Sequence, residues 1–319
     1  MAKTYLKKWL IGGIDQWIMM KEDEMSEKKP VLLFLHGGPG SAQISYIDSF
    51  HEELDQDFTV VHWDQRGAGL SYQENLPDES MTIQQFIEDT IELTEKLLSH
   101  LGHSKLYIAG YSWGSLIAIQ AVHKRPDLYH AYYGISQVVD VFKEDIVSYE
   151  LLMKKYHRNR LFTSCLRLLT PPPWKRTSAH ALFSLYKEFA SVGLTHRWKP
   201  VFQMLKGFLF SKQYRLKDKW KFVKGQKFSQ DKLWDQLMNE SIQYRVSTIL
   251  IPCYFLIGDH DMITPAAVSK PYVDQLKAPI KEWFTFKDSA HSPHIEEPDE
   301  FIRIIRKTAI HHLQGKLDL

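Results

Sequence analysis

Cysteine is nearly missing from this chain: its 319 residues contain two, Cys165 and Cys253. Two thiols cannot build the disulfide framework of a small secreted domain, and nothing else points to secretion. Long apolar runs are missing as well, since none approaches the ~18 residues that cross a bilayer. Lys3, Lys7 and Lys8 resemble the basic start of a signal peptide, but the apolar stretch behind them, Trp9 to Ile14, is short and ends at Asp15 without a small-residue cleavage site. An excess of one charge is absent too: 40 Lys and Arg face 38 Asp and Glu, a net +2. That balance speaks against a nucleic-acid binder and against an acidic solvating chain. With 16 Gly and 14 Pro, collagen-like and low-complexity classes are excluded. The expectation is a soluble, cytoplasmic protein with neither membrane nor nucleic acid as partner.

What is present reads as an α/β chain. Val31-Leu32-Leu33-Phe34-Leu35, bounded by Pro30 and Gly37, predicts a strand buried on both faces of a parallel sheet. Similar runs recur at Phe58–Trp63, Leu106–Ala109, Ala131–Ile135, Cys253–Ile257 and Trp283–Phe286. The first 20 residues alternate loosely around Gly12–Gly13, a hairpin signal. Residues 83–101 place Ile83, Phe86, Ile87, Ile91, Leu97, Leu98 and Leu101 near a 3.6-residue period, with Leu93 off the stripe. Strand alternating with helix predicts a doubly wound sheet. Residues 143–245 break the rhythm. They are rich in aromatics, interrupted by Pro171-Pro172-Pro173, and hold 21 Lys and Arg against 8 Asp and Glu, a net +13 that leaves the remainder at −11. A basic, mostly helical insertion is expected at 143–245, in a body made of 1–142 and 246–319.

The strongest motif is Gly110-Tyr111-Ser112-Trp113-Gly114, a G-x-S-x-G between a predicted strand and a predicted helix. That is the setting of a nucleophile elbow, whose turn is so sharp that the serine is strained and its flanking glycines have no room for a side chain. Ser112 then projects its hydroxyl at a helix N-terminus, which favours developing negative charge.

A serine hydroxyl needs a base, and the base needs an orienting group. In this arrangement both follow the serine in the chain, acid first. The loop after Cys253–Ile257 reads Gly258-Asp259-His260-Asp261, and two aspartates compete; Asp261 is preferred on its G-x-x-D spacing, with Asp259 structuring the loop. The loop after Trp283–Phe286 holds His291 and His294, of which His291 is preferred as base. Upstream, His36-Gly37-Gly38-Pro39-Gly40 directly follows a strand, where one oxyanion donor belongs. The backbone N–H groups of Gly38 and Trp113 are the expected pair. His36 reads as a structural hydrogen-bonder. Asp64-Gln65-Arg66-Gly67-Ala68-Gly69-Leu70-Ser71 also reads as structural, with Asp64 and Arg66 paired and bonding neighbouring loops.

Together, HGGPG at 36–40, DQRGAGLS at 64–71, GYSWGS at 110–115, GDHD at 258–261 and His291 resemble the proline iminopeptidase family of α/β-hydrolase serine peptidases. The match covers roughly 1–140 and 246–319. The resemblance implies an α/β-hydrolase fold with a mostly parallel sheet and an inserted helical cap. It also implies release of an N-terminal residue from short peptides, with no metal and no organic cofactor. Such peptidases hold the substrate's α-amine with cap glutamates, some near a W-x-x-W-E stretch that this sequence lacks. The candidate acids are Glu150, Glu188 and Glu240. Trp174, Phe183, Trp198, Phe202 and Phe208 are candidate pocket aromatics, although helix packing accounts for most of them.

Three readings remain. The first is an aminopeptidase of proline iminopeptidase type acting on small peptides. The second is an esterase, lactonase or amidase taking a small acyl substrate, which the +13 insertion allows to be anionic. The third, a non-catalytic ligand-binding protein, predicts a broken catalytic set, whereas every element is intact here.

Overall fold

Val31–Leu35 offers solvent no polar side chain, and in the computed structural model it forms a strand buried at every residue. The structure describes residues 3–22, 29–168, 172, 182–184, 186–187 and 198–313. Among these described residues eight strands make one sheet: β1 (Lys3–Ile11), β2 (Ile14–Glu22), β3 (Val31–Leu35), β4 (Thr59–Asp64), β5 (Leu106–Tyr111), β6 (Tyr129–Ile135), β7 (Cys253–Gly258) and β8 (Lys281–Phe286). Their spatial order is 1-2-4-3-5-6-7-8. The β1–β2 and β2–β4 pairs are antiparallel and the other five are parallel. Gly12 and Gly13 both take positive φ, 55° and 76°, and close the β1–β2 hairpin in two residues.

Both faces of the parallel strands are buried. Leu33, Leu35 and Ile108 belong to one apolar core, whereas Leu32, Phe34, Tyr107 and Ala109 belong to another. Alternate residues on a strand therefore serve opposite cores, which is why the runs lack polar breaks. Each fully buried Leu or Phe contributes about 1.5–3 kcal/mol of apolar burial. The eight helices of nine residues or more are α1 (Ile83–Leu101), α2 (Trp113–Lys124), α3 (Val141–Lys155), α4 (Arg160–Leu168), α5 (Trp198–Leu209), α6 (Leu216–Met238), α7 (Ala266–Gln275) and α8 (Pro298–Leu313), among the described residues. Helix α1 starts where the Thr82 hydroxyl accepts the Gln85 N–H and stops at left-handed Gly102. Its buried stripe includes Leu93 and leaves Ile91 only partly covered. The buried arc is wider than a single 3.6-period line, which is why the predicted face missed Leu93.

Between β6 and β7 the described residues form helices α3 to α6 and no strand. The two ends of this segment meet, with Asp140 and Ser241 in an antiparallel bridge and the Ile242 N–H donating to the Val139 carbonyl at 3.0 Å.

One expectation fails here: Asp64 does not pair with Arg66. The Arg66 guanidinium crosses to α1 and meets Asp89, at 2.9 and 3.0 Å. It also donates to the Gly12 carbonyl at 2.7 Å and to the Ser80 hydroxyl at 3.2 Å. Asp64 instead accepts the Leu70 N–H at 2.9 Å and the Tyr214 hydroxyl. Arg66 and Asp89 are both fully buried, so removing either leaves an uncompensated charge, a loss of roughly 3–5 kcal/mol.

Candidate active site

The end of β5 and the start of α2 build the elbow. Ser112 joins them with φ 52° and ψ −120°, a conformation an L-residue adopts only under strain. Close packing around it explains the glycines. A Cβ on Gly110 would lie 2.5 Å from the Gly114 carbonyl oxygen, and one on Gly114 would lie 2.4 Å from the Leu35 carbonyl oxygen.

Three side chains from three loops converge. His291 Nε2 is 3.0 Å from Ser112 Oγ, and its Nδ1 is 2.9 Å from Asp261 Oδ2. Asp261 accepts three further hydrogen bonds, from the Ile263 and Thr264 N–H groups at 2.8 and 2.9 Å and from the Thr264 hydroxyl at 2.7 Å. Burial alone raises this carboxyl, but the facing His291 and the Thr264 donors more than offset it and hold it below its ordinary value. Asp261 thus stays a carboxylate and fixes the imidazole with Nδ1 as donor. Asp259, the competing acid, is exposed, and so is His260.

His294, the competing base, is buried elsewhere. Its ring lies 4.5 Å from Tyr111 and 5.3 Å from Phe34, in an aromatic cluster with His51. Burial drives His51 down to about 3 and His294 well below its usual value, so both stay neutral. No group of three or more His, Cys, Asp or Glu among the described residues is arranged to hold a metal ion.

The loop after β3 lies against the elbow. His36 donates from Nδ1 to the Gly37 carbonyl at 2.7 Å and accepts the Gln65 N–H at Nε2, 3.2 Å. Burial pushes it down to about 4. Gln65 donates its amide to the His36 carbonyl at 2.9 Å, while its Oε1 accepts the Trp113 indole N–H at 3.0 Å. One glutamine therefore ties the HGGPG loop to the elbow. The sequence marked the 64–71 segment as structural but did not single out Gln65, because nothing local distinguishes it from its neighbours. Gly38 and Trp113 line the same cavity as Ser112. As the first residue of α2, Trp113 has an N–H with no intrahelical carbonyl to meet.

That cavity measures about 1250 Å³ and is walled on the other side by α3, α5 and α6. Among the described residues its acids are Glu144, Asp231 and Glu296, and its cation is Lys187. Glu144 accepts the Val139 and Asp140 N–H groups at 2.7 and 3.3 Å, and burial raises its carboxyl to about 8. Lys187 donates to Asp145 at 2.6 Å, and Glu296 accepts the Ala290 N–H at 2.5 Å.

The candidate cap residues lie elsewhere. Glu150 is exposed on α3, Glu240 pairs with Arg245 at 2.9 Å, Phe183 is buried against Leu152 and Leu166, and Phe202 is exposed on α5. None of these four lines the cavity, whereas Phe208 does. Trp174 and Glu188 lie outside the described residues, as does the side chain of Trp198. Glu144 was findable from the sequence as an acid in the first turn after the N-cap Asp140.

A sequence profile described as the alpha/beta hydrolase fold matches residues 30–298. The chain is 42% identical to the probable aminopeptidase YbaC of Bacillus subtilis, over 97% of each chain. It is 26% identical to a proline iminopeptidase of Clostridium botulinum, over 88% of this chain and 89% of that one. The crystal structure of the proline iminopeptidase of Mycobacterium smegmatis superposes with a TM-score of 0.69 at 16% identity, over 98% of this chain and all of the other, a likeness of fold.

Proposed function

The chain belongs to the α/β-hydrolase fold family, and from that premise we propose that it is a serine aminopeptidase, releasing the N-terminal residue of short peptides. The observation that carries this reading is the unbroken series Ser112–His291–Asp261 at 3.0 and 2.9 Å, with Ser112 and His291 lining the cavity. Ser112 Oγ attacks the scissile carbonyl carbon while its proton passes to His291 Nε2. The oxyanion is held by the N–H groups of Gly38 and Trp113. Collapse breaks the C–N bond, and the leaving amine takes the proton from Nε2. Water then repeats the sequence on the acyl-enzyme, freeing the acid and restoring Ser112.

The helices between β6 and β7 act as the cap, and their cavity-facing acids decide whether a free α-amine is held. Glu144 is a poor partner at neutral pH, because burial keeps it largely protonated. Glu296 is engaged beside His291, with the Ala290 amide. Asp231, on the part of the cavity wall formed by α6, is exposed to the solvent that fills the cavity mouth, and it is the acid we assign to the substrate's ammonium group.

A fluorophosphonate probe should label the protein and should fail to label Ser112→Ala. Proline and alanine anilides should be cleaved, and their N-acylated counterparts should not. Turnover of short acyl esters with no anilide cleavage at any N-terminal residue would replace the peptidase reading with an esterase one. Absence of labelling in folded protein would remove serine catalysis altogether.

A further inference from the structure

Helices α5 and α6 cover the cavity with one face and present a second apolar face to solvent. Inward, Met204 and Phe208 of α5 and Phe222 and Gln226 of α6 line the cavity. Outward, Phe202 and Leu209 form an i, i+7 pair on α5, with Leu205 between them exposed at the rim of the cavity that it also lines, and Leu216, Trp220 and Val223 follow i, i+4, i+7 on α6. All six are exposed, as is Phe210 just past the end of α5; Phe210, Leu216 and Trp220 are 77%, 76% and 67% exposed. The two helices adjoin. The Phe208 and Phe222 rings pack at 4.9 Å, and Lys219 Nζ donates to the Leu209 carbonyl at 2.5 Å across the joint. Exposed large apolar side chains gathered on two neighbouring helices are uncommon on a protein surface with nothing to meet.

The charge on the same segment is of one sign. Residues 199–227 hold nine Lys and Arg and one acid, Asp218. Asp218 is buried and accepts the Arg215 N–H at 2.9 Å, so it does not face outward. We propose that this outer face of α5 and α6 docks on an anionic lipid surface, with the aromatic and leucine side chains in the headgroup region and the lysines against the lipid charge. Trp, Phe and Leu on one side with Lys flanking them is the composition of a helix lying in a membrane interface. In such a docking, lysine stems lie along the apolar groups and set their ammonium groups at the charged lipid surface. A second copy of this chain would bring two strongly basic faces together, which electrostatics opposes. No described helix is long and apolar enough to cross a membrane, so the contact is a surface one. It stands independently of the peptidase reading.

The test is co-sedimentation of the full chain with vesicles of phosphatidylcholine alone or mixed with phosphatidylglycerol. The protein should sediment with the mixed vesicles, hardly with the neutral ones, and be released at high salt. Lys217→Glu with Lys221→Glu should lower partitioning roughly tenfold or more. Phe210→Ser with Trp220→Ser should also lower it, while both pairs keep the wild-type thermal midpoint and turnover of a soluble ester. The proposal fails if the chain ignores anionic vesicles at low ionic strength, or if both variant pairs bind as wild type does. It fails equally if sedimentation velocity shows a dimer that Phe210→Ser with Trp220→Ser dissolves, since a second copy would then occupy the face.

Discussion

Asp261 Oδ2 lies 2.9 Å from His291 Nδ1, while Asp259, two residues earlier on the same loop, is exposed to solvent. The four acceptor contacts of Asp261 leave it no freedom to turn away, and the histidine inherits that rigidity. Asp261→Asn would present an amide to Nδ1 and favour the wrong imidazole tautomer, so kcat should fall by about 10⁴-fold with little change in the folded structure. Asp259→Asn should leave kcat near wild type. Steady-state kinetics on the two variants separates the assignments, and the reverse pattern would transfer the role to Asp259.

Gln65 joins the HGGPG loop to Trp113 through three hydrogen bonds. Gln65→Ala removes the two side-chain ones and frees the loop bearing Gly38 from the elbow bearing the Trp113 amide. A displacement of about 1 Å at the two proposed oxyanion donors is enough to lower kcat by roughly 10²-fold. KM should change much less, because the cavity walls remain. Equal changes in both parameters would indicate general disruption of the site.

Asp231 is the acid assigned to the α-ammonium group, and a charge-assisted contact of that kind is worth about 1.5–3 kcal/mol. Asp231→Asn should therefore raise KM for a free-amine anilide by roughly tenfold or more. Turnover of an acyl ester with no amine should be unchanged. If both substrates suffer alike, Asp231 supports the cavity wall and does not read the amine.

Glu144 couples stability to pH. Burial holds its folded carboxyl at about 8, against an ordinary 4.5 in the unfolded chain. The unfolded state therefore loses its proton first, and stability declines as pH rises between those values. Glu144→Gln stays neutral throughout and keeps an acceptor for the Val139 and Asp140 amides. In urea unfolding the variant should gain on wild type progressively from pH 5 to pH 8. Asp64, also raised by burial, to about 7, is present in both proteins, so the difference between them isolates Glu144. Parallel stability curves would show that Glu144 ionises normally.

Much of the body was legible because its signals are local. An unbroken apolar run of five such as Val31–Leu35, closed off by Pro30 and Gly37, is too short for a buried helix and reads as a strand covered on both faces, and G-x-S-x-G between strand and helix imposes its own backbone. The order of acid and histidine follows from which loops leave the same edge of a parallel sheet. Arg66 shows where local reading stops. Its nearest acid in sequence is Asp64, yet it pairs with Asp89 on α1, because helix docking brings that carboxylate into the same buried space. The helices over the cavity show it more sharply. Apolar residues occupy both faces of α5 and α6, so periodicity alone could not say that Phe208 turns inward and Phe202 outward, or that Asp231 and not Glu240 faces the cavity. Strand identity and the elbow were decided by short stretches of sequence, since each depends on neighbours along the chain. The rotation of each covering helix, and with it the chemistry of the cavity wall, was decided only by packing against distant elements.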